Sequence, residues 1–162
     1  MRRVRPEITL ARPADARAIV ALRCAVARQM TARHGEGHWS AMPSRAEVTR
    51  QMRASQVFVA RVDGQLVGTV RLATVNPHSM RSAGFTPVPV ALFVLGMTVS
   101  EDYRRMGVGR ALLAACKDAA HSRRAAALWV DTYAGAAGAG SFYLRCGFRQ
   151  VGSLHYEWLA DS

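Results

Sequence analysis

The chain has 162 residues, of which 50% are hydrophobic, and its 22 basic and 11 acidic side chains give a net charge of +11. This length suits one domain with its own core, so we expect a single domain over residues 1–162. No apolar run reaches membrane-spanning length and the N-terminus lacks the apolar segment of a signal peptide, which predicts a cytoplasmic protein without a membrane partner. The three cysteines are odd in number and widely spaced, so they indicate neither a disulfide framework nor a zinc site.

The positive charge raises nucleic-acid binding as one function class, because clustered Lys and Arg displace counterions from phosphates. The basic residues are spread along the chain, however, with no block longer than a pair after the Arg2-Arg3-x-Arg5 start. A solvated basic surface accounts for this distribution better. We therefore expect no nucleic-acid partner and rank a nucleic-acid-binding module third among the hypotheses.

The first part of the chain predicts one strand and two helices. A strand is expected over Glu7–Ala11, and Pro13 with Asp15 marks the start of a helix. Its apolar stripe has helical spacing and consists of Ile19, Leu22, Val26 and Met30. The glycines of the His34–Trp39 segment predict a loop. Ser44 and Glu47 then form a capping-box pattern that opens a short helix.

The middle of the chain predicts a hairpin and a central strand. Val57–Val62 and Leu66–Ala73 are β-rich runs joined by Asp63-Gly64, a preferred pair for a tight hairpin turn. Residues 76–89 hold three prolines and a glycine and are expected to form a long loop. The strongest apolar run, Val90–Val99, follows as the central strand.

The last part predicts two helices and three strands. A helix begins at Val108, because apolar residues recur with helical spacing after it. A buried strand is expected over Ala126–Asp131, a short helix over Ala139–Cys146, and a hairpin from Phe148–Gly152 and His155–Leu159.

The segment between the central strand and the Val108 helix carries the strongest chemical signal. Backbone N–H groups at a helix start have no internal partners, and the helix dipole places partial positive charge there. Gly107 and Gly109 allow close approach, and Arg104, Arg105 and Arg110 add charge, so the segment predicts a pyrophosphate-binding site. Other phosphate motifs fit less well: a dinucleotide fingerprint needs glycine at Leu112, and the Gly-Lys-Ser/Thr of a P-loop is absent.

Two segments resemble one family. Arg104-x-x-Gly107-x-Gly109, preceded by Val99 and Tyr103, resembles the acetyl-CoA motif of the GNAT superfamily of N-acetyltransferases. Residues 139–148 are similar to the family's later helix, which carries a tyrosine, here Tyr143, and closes with Gly-Phe. The resemblance covers nearly the whole chain. One departure is Ala136, where the family often has an asparagine that contacts the cofactor.

The resemblance implies an α/β (α+β) fold with a mixed, mostly antiparallel sheet of six to seven strands and about four helices. The sheet would be splayed between its fourth and fifth strands. It implies acetyl-CoA as cofactor and direct acetyl transfer to a primary amine of a small molecule or peptide. Tyr143 would be the general acid. The cofactor would be held by Met97, Thr98, Val99, Arg104, Arg105, Met106, Gly107, Val108, Gly109 and Arg110, with Met97 and Val99 contributing backbone atoms.

The acceptor site and the general base are less well marked. Many family members carry a carboxylate on the fourth strand, and Val90–Thr98 has none. Glu36, Asp131 and Glu157 remain as acidic candidates, and Trp39 is a candidate lining of the acceptor pocket. His34 and His38 indicate no metal site, because the glycines around them argue against the helix that would bring them together.

Three questions stay open in the sequence. The missing carboxylate and Ala136 also fit an acyl-CoA-binding sensor that has lost the chemistry, which is the main alternative. The acceptor pocket is expected in residues 33–43 and 76–89, and neither segment identifies the amine. The oligomeric state, monomer or homodimer, is also not fixed by the sequence.

Overall fold

The structure is a computed structural model that describes residues 3–75 and 88–153. Its strands are β1 (Glu7–Leu10), β2 (Gln56–Val62), β3 (Gln65–Ala73), β4 (Ala91–Val99) and β5 (Ala127–Val130). Its helices are α1 (Ala16–His34), α2 (Arg45–Ala54), α3 (Val108–Ser122) and α4 (Gly140–Arg145). Across the described ranges, none of these helices is long and apolar enough to cross a bilayer.

The strands form one mixed sheet in the order β1-β2-β3-β4-β5. The first three pairings are antiparallel, and β4 pairs with β5 in parallel. The chain must cross from one end of the sheet to the other between parallel strands, and α3 makes that crossing. The mixed sheet and the four helices agree with the expected fold.

The expected number of strands was wrong, because the described sheet has five and not six to seven. The backbone N–H of Phe148 is already bonded to the Tyr143 carbonyl at 3.0 Å, where it closes α4. Residues 149–153 follow as exposed chain without strand pairing, so Phe148–Gly152 is not a strand. Its predicted partner His155–Leu159, and residues 76–87 of the predicted loop, lie outside the described residues.

The sheet buries a different helix layer on each face. Alternation along β2 sends Val57 and Val59 toward α1 and α2, where they pack with Ile19 and Val48. The other face packs against α3 and α4, and its buried members include Val70, Leu92, Val94, Leu112, Leu113, Cys116 and Tyr143. Tyr143 is therefore held in the main core, although the helix that carries it, α4, lies at the surface.

Two irregularities of β4 open the sheet. Thr69 pairs with Thr98 and Arg71 with Leu95, so β4 has one more residue than β3 in this interval and bulges there. Gly96 lies at the bulge with φ +61, a conformation that favours glycine. Pairing with β5 ends at Val94–Val130, which leaves the rest of β4 without a neighbour on that side. The strands part as the resemblance implied.

An ion pair ties β2 to the start of α1. The Arg61 guanidinium donates to the Asp15 carboxylate and, at 3.0 Å, to Thr9 Oγ1. Both charged side chains are largely buried, with 15% and 13% of their surface exposed. Burial raises the pKa of Asp15, but the hydrogen bond from the Arg12 N–H and the Arg61 charge outweigh it and hold the pKa below its ordinary value.

Asp15→Asn is therefore expected to lower the free energy of unfolding by about 1.5–3 kcal/mol at neutral pH. Since the folded pKa of Asp15 is lowered, the contribution is present above the unfolded pKa of about 3.9 and is lost as pH falls below it. Urea unfolding at neutral and acidic pH measures it. Equal losses for Asp15→Asn at pH 7 and at pH 3 would contradict the ionic origin.

Candidate functional site

A cleft of about 1120 Å³ lies where β4 and β5 part. One wall comes from α1 and the turn after it, including Arg23, Met30 and Trp39. The floor is the end of β4, and the other wall is the segment that leads into α3. Residues 130–145, including α4, close the remaining side. The two predicted motifs thus meet in one concave site.

The floor of the cleft offers unpaired backbone groups. The N–H of Ser100 donates to Val67 O at 2.8 Å, so its peptide group points toward β3. Peptide groups alternate in direction along a strand, so those of Thr98 also face β3 and those of Met97 and Val99 face the cleft. The Val99 carbonyl accepts a long hydrogen bond of 3.4 Å from Arg104 Nε. Buried backbone groups need partners, and an extended chain of amides lying in the cleft would supply them to the groups of Met97 and to the Val99 N–H.

The start of α3 has the geometry of an anion site. Gly107 precedes the helix with φ +96, and no side chain caps the helix there. The first helical bond runs from the Ala111 N–H to Gly107 O at 3.0 Å, so the N–H groups of Val108, Gly109 and Arg110 have no acceptor within the helix. A Cβ built on Gly107 would meet no atom within 4 Å, so this side of the turn is open.

The cleft is strongly cationic. Its described lining includes one carboxylate, Asp131, against the guanidinium groups of Arg3, Arg5, Arg23, Arg33, Arg104, Arg105, Arg110 and Arg145. Arg33 is compensated by an ion pair with Glu101 that joins the end of α1 to the segment before Arg104. This charge balance favours a ligand with several negative groups.

Tyr143 is positioned by the way α4 ends. The N–H of Gly147 bonds to Leu144 O at 3.1 Å and that of Phe148 to Tyr143 O at 3.0 Å, which is a Schellman motif. The motif folds Phe148 back so that its ring centroid lies 5.7 Å from that of Tyr143. Lys117 on α3 donates to Cys146 O and lies over the Phe148 ring. The Gly-Phe pair thus fixes the tyrosine ring against α3.

The chemistry of Tyr143 follows from its burial. It is 7% exposed and lines the cleft, and its hydroxyl makes no hydrogen bond to another described residue. Burial raises its pKa above the ordinary value, and the nearby Asp131, Cys116 and Cys146 raise it further. The phenol therefore stays protonated at any physiological pH and presents a donor to the cleft.

The other predicted residues fall at different distances from the cleft. Asp131 lines it directly after β5, and Ala136 lines it in the turn that leads to α4. Trp39 lines it too, with its indole N–H bonded to Gly35 O at 2.8 Å. Glu36 is exposed and is not part of the described lining. Of the two acidic candidates that the structure describes, Asp131 and not Glu36 lines the cleft with Tyr143, and Glu157 lies outside the described residues.

The sequence reading missed Tyr133, which lies in the loop between β5 and α4. Its ring is 5.2 Å from Trp39 in an edge-to-face contact and is stacked on His38 at 6.4 Å. This contact joins the segment after α1 to the segment after β5, and His38, Trp39 and Tyr133 all line the cleft. The pairing joins residues far apart in the chain, so no local pattern indicates it. No group of His, Cys, Asp or Glu among the described residues could hold a metal ion.

A family model described as the acetyltransferase (GNAT) family matches residues 24–148. The matched range begins in α1 and ends at Phe148, so it contains both motifs of the cleft. No curated protein sequence matches the chain significantly.

Solved structures share the fold at low sequence identity. AAC(6')-Iy in complex with the bisubstrate analog CoA-S-monomethyl-acetylneamine is 15% identical, with a TM-score of 0.72 over 97% of this chain and 99% of that chain. A ribosomal-protein-alanine N-acetyltransferase from Brucella melitensis is 21% identical, with a TM-score of 0.68 over 96% and 100%. An aminoglycoside acetyltransferase from an uncultured soil sample is 15% identical, with a TM-score of 0.68 over 98% and 100%. At these identities the likeness shows the fold alone.

Proposed function

Because the chain belongs to the acetyltransferase (GNAT) family, we propose that it transfers the acetyl group of acetyl-CoA directly to a primary amine bound in the same cleft. One observation carries this proposal. The open backbone edge of β4, the uncapped start of α3 and the hydroxyl of the largely buried Tyr143 all border a single cleft of about 1120 Å³. The first two features suit the amide arm and the pyrophosphate of coenzyme A, and the third suits its sulfur.

The residues present fit acetyl-CoA. Met97 and Val99 would bond the pantetheine amides through their backbone, and Thr98 would contribute packing. The N–H groups from Gly107 to Arg110 would bind the pyrophosphate, with Arg104 and Arg105 neutralising its charge. Val108 is buried at 1% exposure, so only its backbone would take part. Ala136 lacks the side-chain amide often found in the family, and the backbone contacts would carry the binding instead.

Acetyl-CoA supplies a thioester whose carbonyl carbon bonds to the amine nitrogen as the carbon–sulfur bond breaks. The phenol of Tyr143 stabilises the charge that develops on sulfur by donating a hydrogen bond to it. Since the pKa of this phenol is raised, its proton stays on the phenol oxygen, and the thiolate takes up a proton from water as it leaves. The nitrogen releases its surplus proton to water in the cleft.

Proton removal from the amine is expected to need no single carboxylate. Val90–Thr98 carries none, and Glu36 is exposed outside the described cleft lining. Glu36→Gln and Asp131→Asn should each lower turnover by no more than about tenfold, which is far below the loss of an essential base. Steady-state turnover of both variants measures this, with the exposed Asp118→Asn as a matched control. A loss of several orders of magnitude in one folded variant would identify that residue as the base.

Amine-dependent release of the coenzyme A thiol tests the proposal. We expect release from acetyl-CoA to be slow alone and accelerated by at least one member of a panel of primary amines. Tight acetyl-CoA binding with no acceleration by any amine would instead support the acyl-CoA-binding sensor. If the protein neither binds acetyl-CoA nor releases its thiol, both the transferase and the acyl-CoA-binding sensor are contradicted.

A further inference from the structure

Two arginines on the α1 and α2 side of the sheet are not explained by coenzyme A binding. Arg23 on α1 lines the cleft itself. Arg71 on β3 lines a small cavity of about 10 Å³ directly behind it, and this cavity shares Arg23 and Gly96 with the cleft. Arg23 lies on the opposite wall of the cleft from Arg104, Arg105 and Arg110, which serve the pyrophosphate, and Arg71 lies beside Arg23 in the small cavity, outside the cleft lining.

These two guanidinium groups have few partners. Arg23 Nη1 donates to Gln51 Oε1 at 2.8 Å, and Gln51 Nε2 donates to Glu47 Oε1 at 3.1 Å. Arg71 makes no hydrogen bond or ion pair with another described residue. Burial lowers the pKa of both arginines, the charge of Arg23 lowers that of Arg71 further, and Glu47 opposes both shifts. Most of their N–H donors therefore have no partner among the described residues and can be offered to a ligand.

Arg61, on the neighbouring strand β2, is an arginine whose charge is paired within the protein, and it can be compared with Arg23 and Arg71. Its guanidinium is paired with the Asp15 carboxylate and the Thr9 hydroxyl, so its charge and donors are satisfied within the protein. A half-buried cation pair that shares one carboxylate is costly unless an anion completes it. Residues 76–89, which follow β3 in the chain, contain no Asp or Glu that could supply one.

We propose that the acceptor is a small amine that also carries a carboxylate, as amino acids do, and that Arg23 and Arg71 bind this carboxylate while the amine faces the acetyl group. This rests on the proposed function and names its substrate class. Two guanidinium groups suit a carboxylate because their N–H donors match its oxygens in pairs. A polycationic acceptor such as an aminoglycoside is disfavoured, because Asp131 is the one carboxylate in the described lining.

Pairs of acceptors that differ only in the carboxylate test this assignment. L-phenylalanine is compared with 2-phenylethylamine and with L-phenylalanine methyl ester. L-methionine is compared with 3-(methylthio)propylamine and with L-methionine methyl ester. Two readouts are taken on the full chain: thiol release from acetyl-CoA, and calorimetric binding of each amine to the protein saturated with coenzyme A. We expect the free acid to be preferred by on the order of 10- to 10²-fold in at least one series.

Variants then assign the preference to the arginines. Arg71→Met should abolish the preference for the acid, Arg71→Lys should retain part of it, and Arg53→Met on the exposed face of α2 should leave it unchanged. The melting temperature of Arg71→Met should not fall, because an apolar side chain replaces a half-buried charge that has no ion-pair partner among the described residues. A lowered melting temperature with an unchanged preference would make Arg71 a structural residue and overturn the proposal.

The two readouts separate the failure of this proposal from that of the transferase. Arg71-dependent binding of the acid without any thiol release would uphold the carboxylate site and contradict the transferase. Thiol release with equal rates and equal binding for acids, amines and esters would uphold the transferase and overturn the carboxylate site. Binding of no member of either series would also overturn it.

Discussion

Gly107→Glu is expected to abolish acetyl-CoA binding, with an affinity loss of at least about 10²-fold, or about 2.7 kcal/mol. The side of Gly107 that a Cβ would occupy is open, so a longer side chain fits without a clash in the free protein. Its carboxylate would then lie beside the free N–H groups at the start of α3 and repel the pyrophosphate that they bind. Isothermal titration calorimetry with acetyl-CoA measures the loss.

Gly64→Glu is the matched control for this substitution. Gly64 also has positive φ and open space for a Cβ, and it lies in the β2–β3 turn, apart from the residues that line the cleft. The control therefore reproduces the backbone strain and the added charge without touching the site. Gly107→Ala is a second control, because it introduces the backbone strain of a non-glycine residue at the same position without adding a negative charge. Unchanged affinity in a folded Gly107→Glu protein would remove the basis for placing the pyrophosphate at α3.

Tyr143→Phe is expected to lower turnover on the order of 10²- to 10³-fold while leaving acetyl-CoA affinity nearly unchanged. The change removes only the hydroxyl, which has no hydrogen-bond partner among the described residues, and keeps the ring contacts with Phe142 and Phe148. Turnover with saturating acetyl-CoA, together with calorimetric affinity, separates the two effects. Phe148→Leu, which alters the other ring packed on Tyr143, removes no donor and lies outside the described cleft lining, is the control.

The pH dependence gives a second check on Tyr143. Because its pKa is raised above about 10, the phenol is protonated throughout the usual assay range. Wild-type turnover should therefore rise with pH as the acceptor amine loses its proton and then level off, with no decline before about pH 10. Full activity of Tyr143→Phe would reduce this residue to a packing role.

Local chemistry made most of the fold predictable from the sequence. Asp63-Gly64 forms the expected turn between β2 and β3, and Ser44 Oγ accepts from the Glu47 N–H at 3.1 Å at the start of α2. The Gly147-Phe148 pair ends α4 as predicted. Each of these signals depends on residues only a few positions apart, so the sequence carries them directly.

The failures have a common physical cause. The bulge at Gly96 depends on the register between β3 and β4, and the pairs Asp15–Arg61 and Trp39–Tyr133 join distant segments. The sequence placed Asp15 only at a helix start, which it occupies, and gave no sign of its buried partner. The strand expected over Phe148–Gly152 had suitable residues, but the α4 cap uses the N–H of Phe148.

The candidate site also has a part that local sequence signals predict and a part that depends on contacts between distant segments. The glycines and arginines before α3 form one contiguous motif and could be placed from the sequence. The proposed acceptor side combines Arg23 of α1, which lines the cleft, with Arg71 of β3 in the adjoining small cavity, and the proximity of these two residues emerges only in the fold. The proposed cofactor site was therefore inferred from the contiguous motif, whereas the proposed acceptor class was inferred only from the three-dimensional arrangement.

Identification of the product tests the central claim most directly. The protein is incubated with acetyl-CoA labelled in its acetyl group and with L-phenylalanine or L-methionine, and the amine fraction is analysed by mass spectrometry. The account predicts a labelled N-acetyl product formed in equal amount to the coenzyme A thiol, and at least about 10²-fold more slowly by Tyr143→Phe. Thiol release without any N-acetylated product, here or across a wider amine panel, would contradict it.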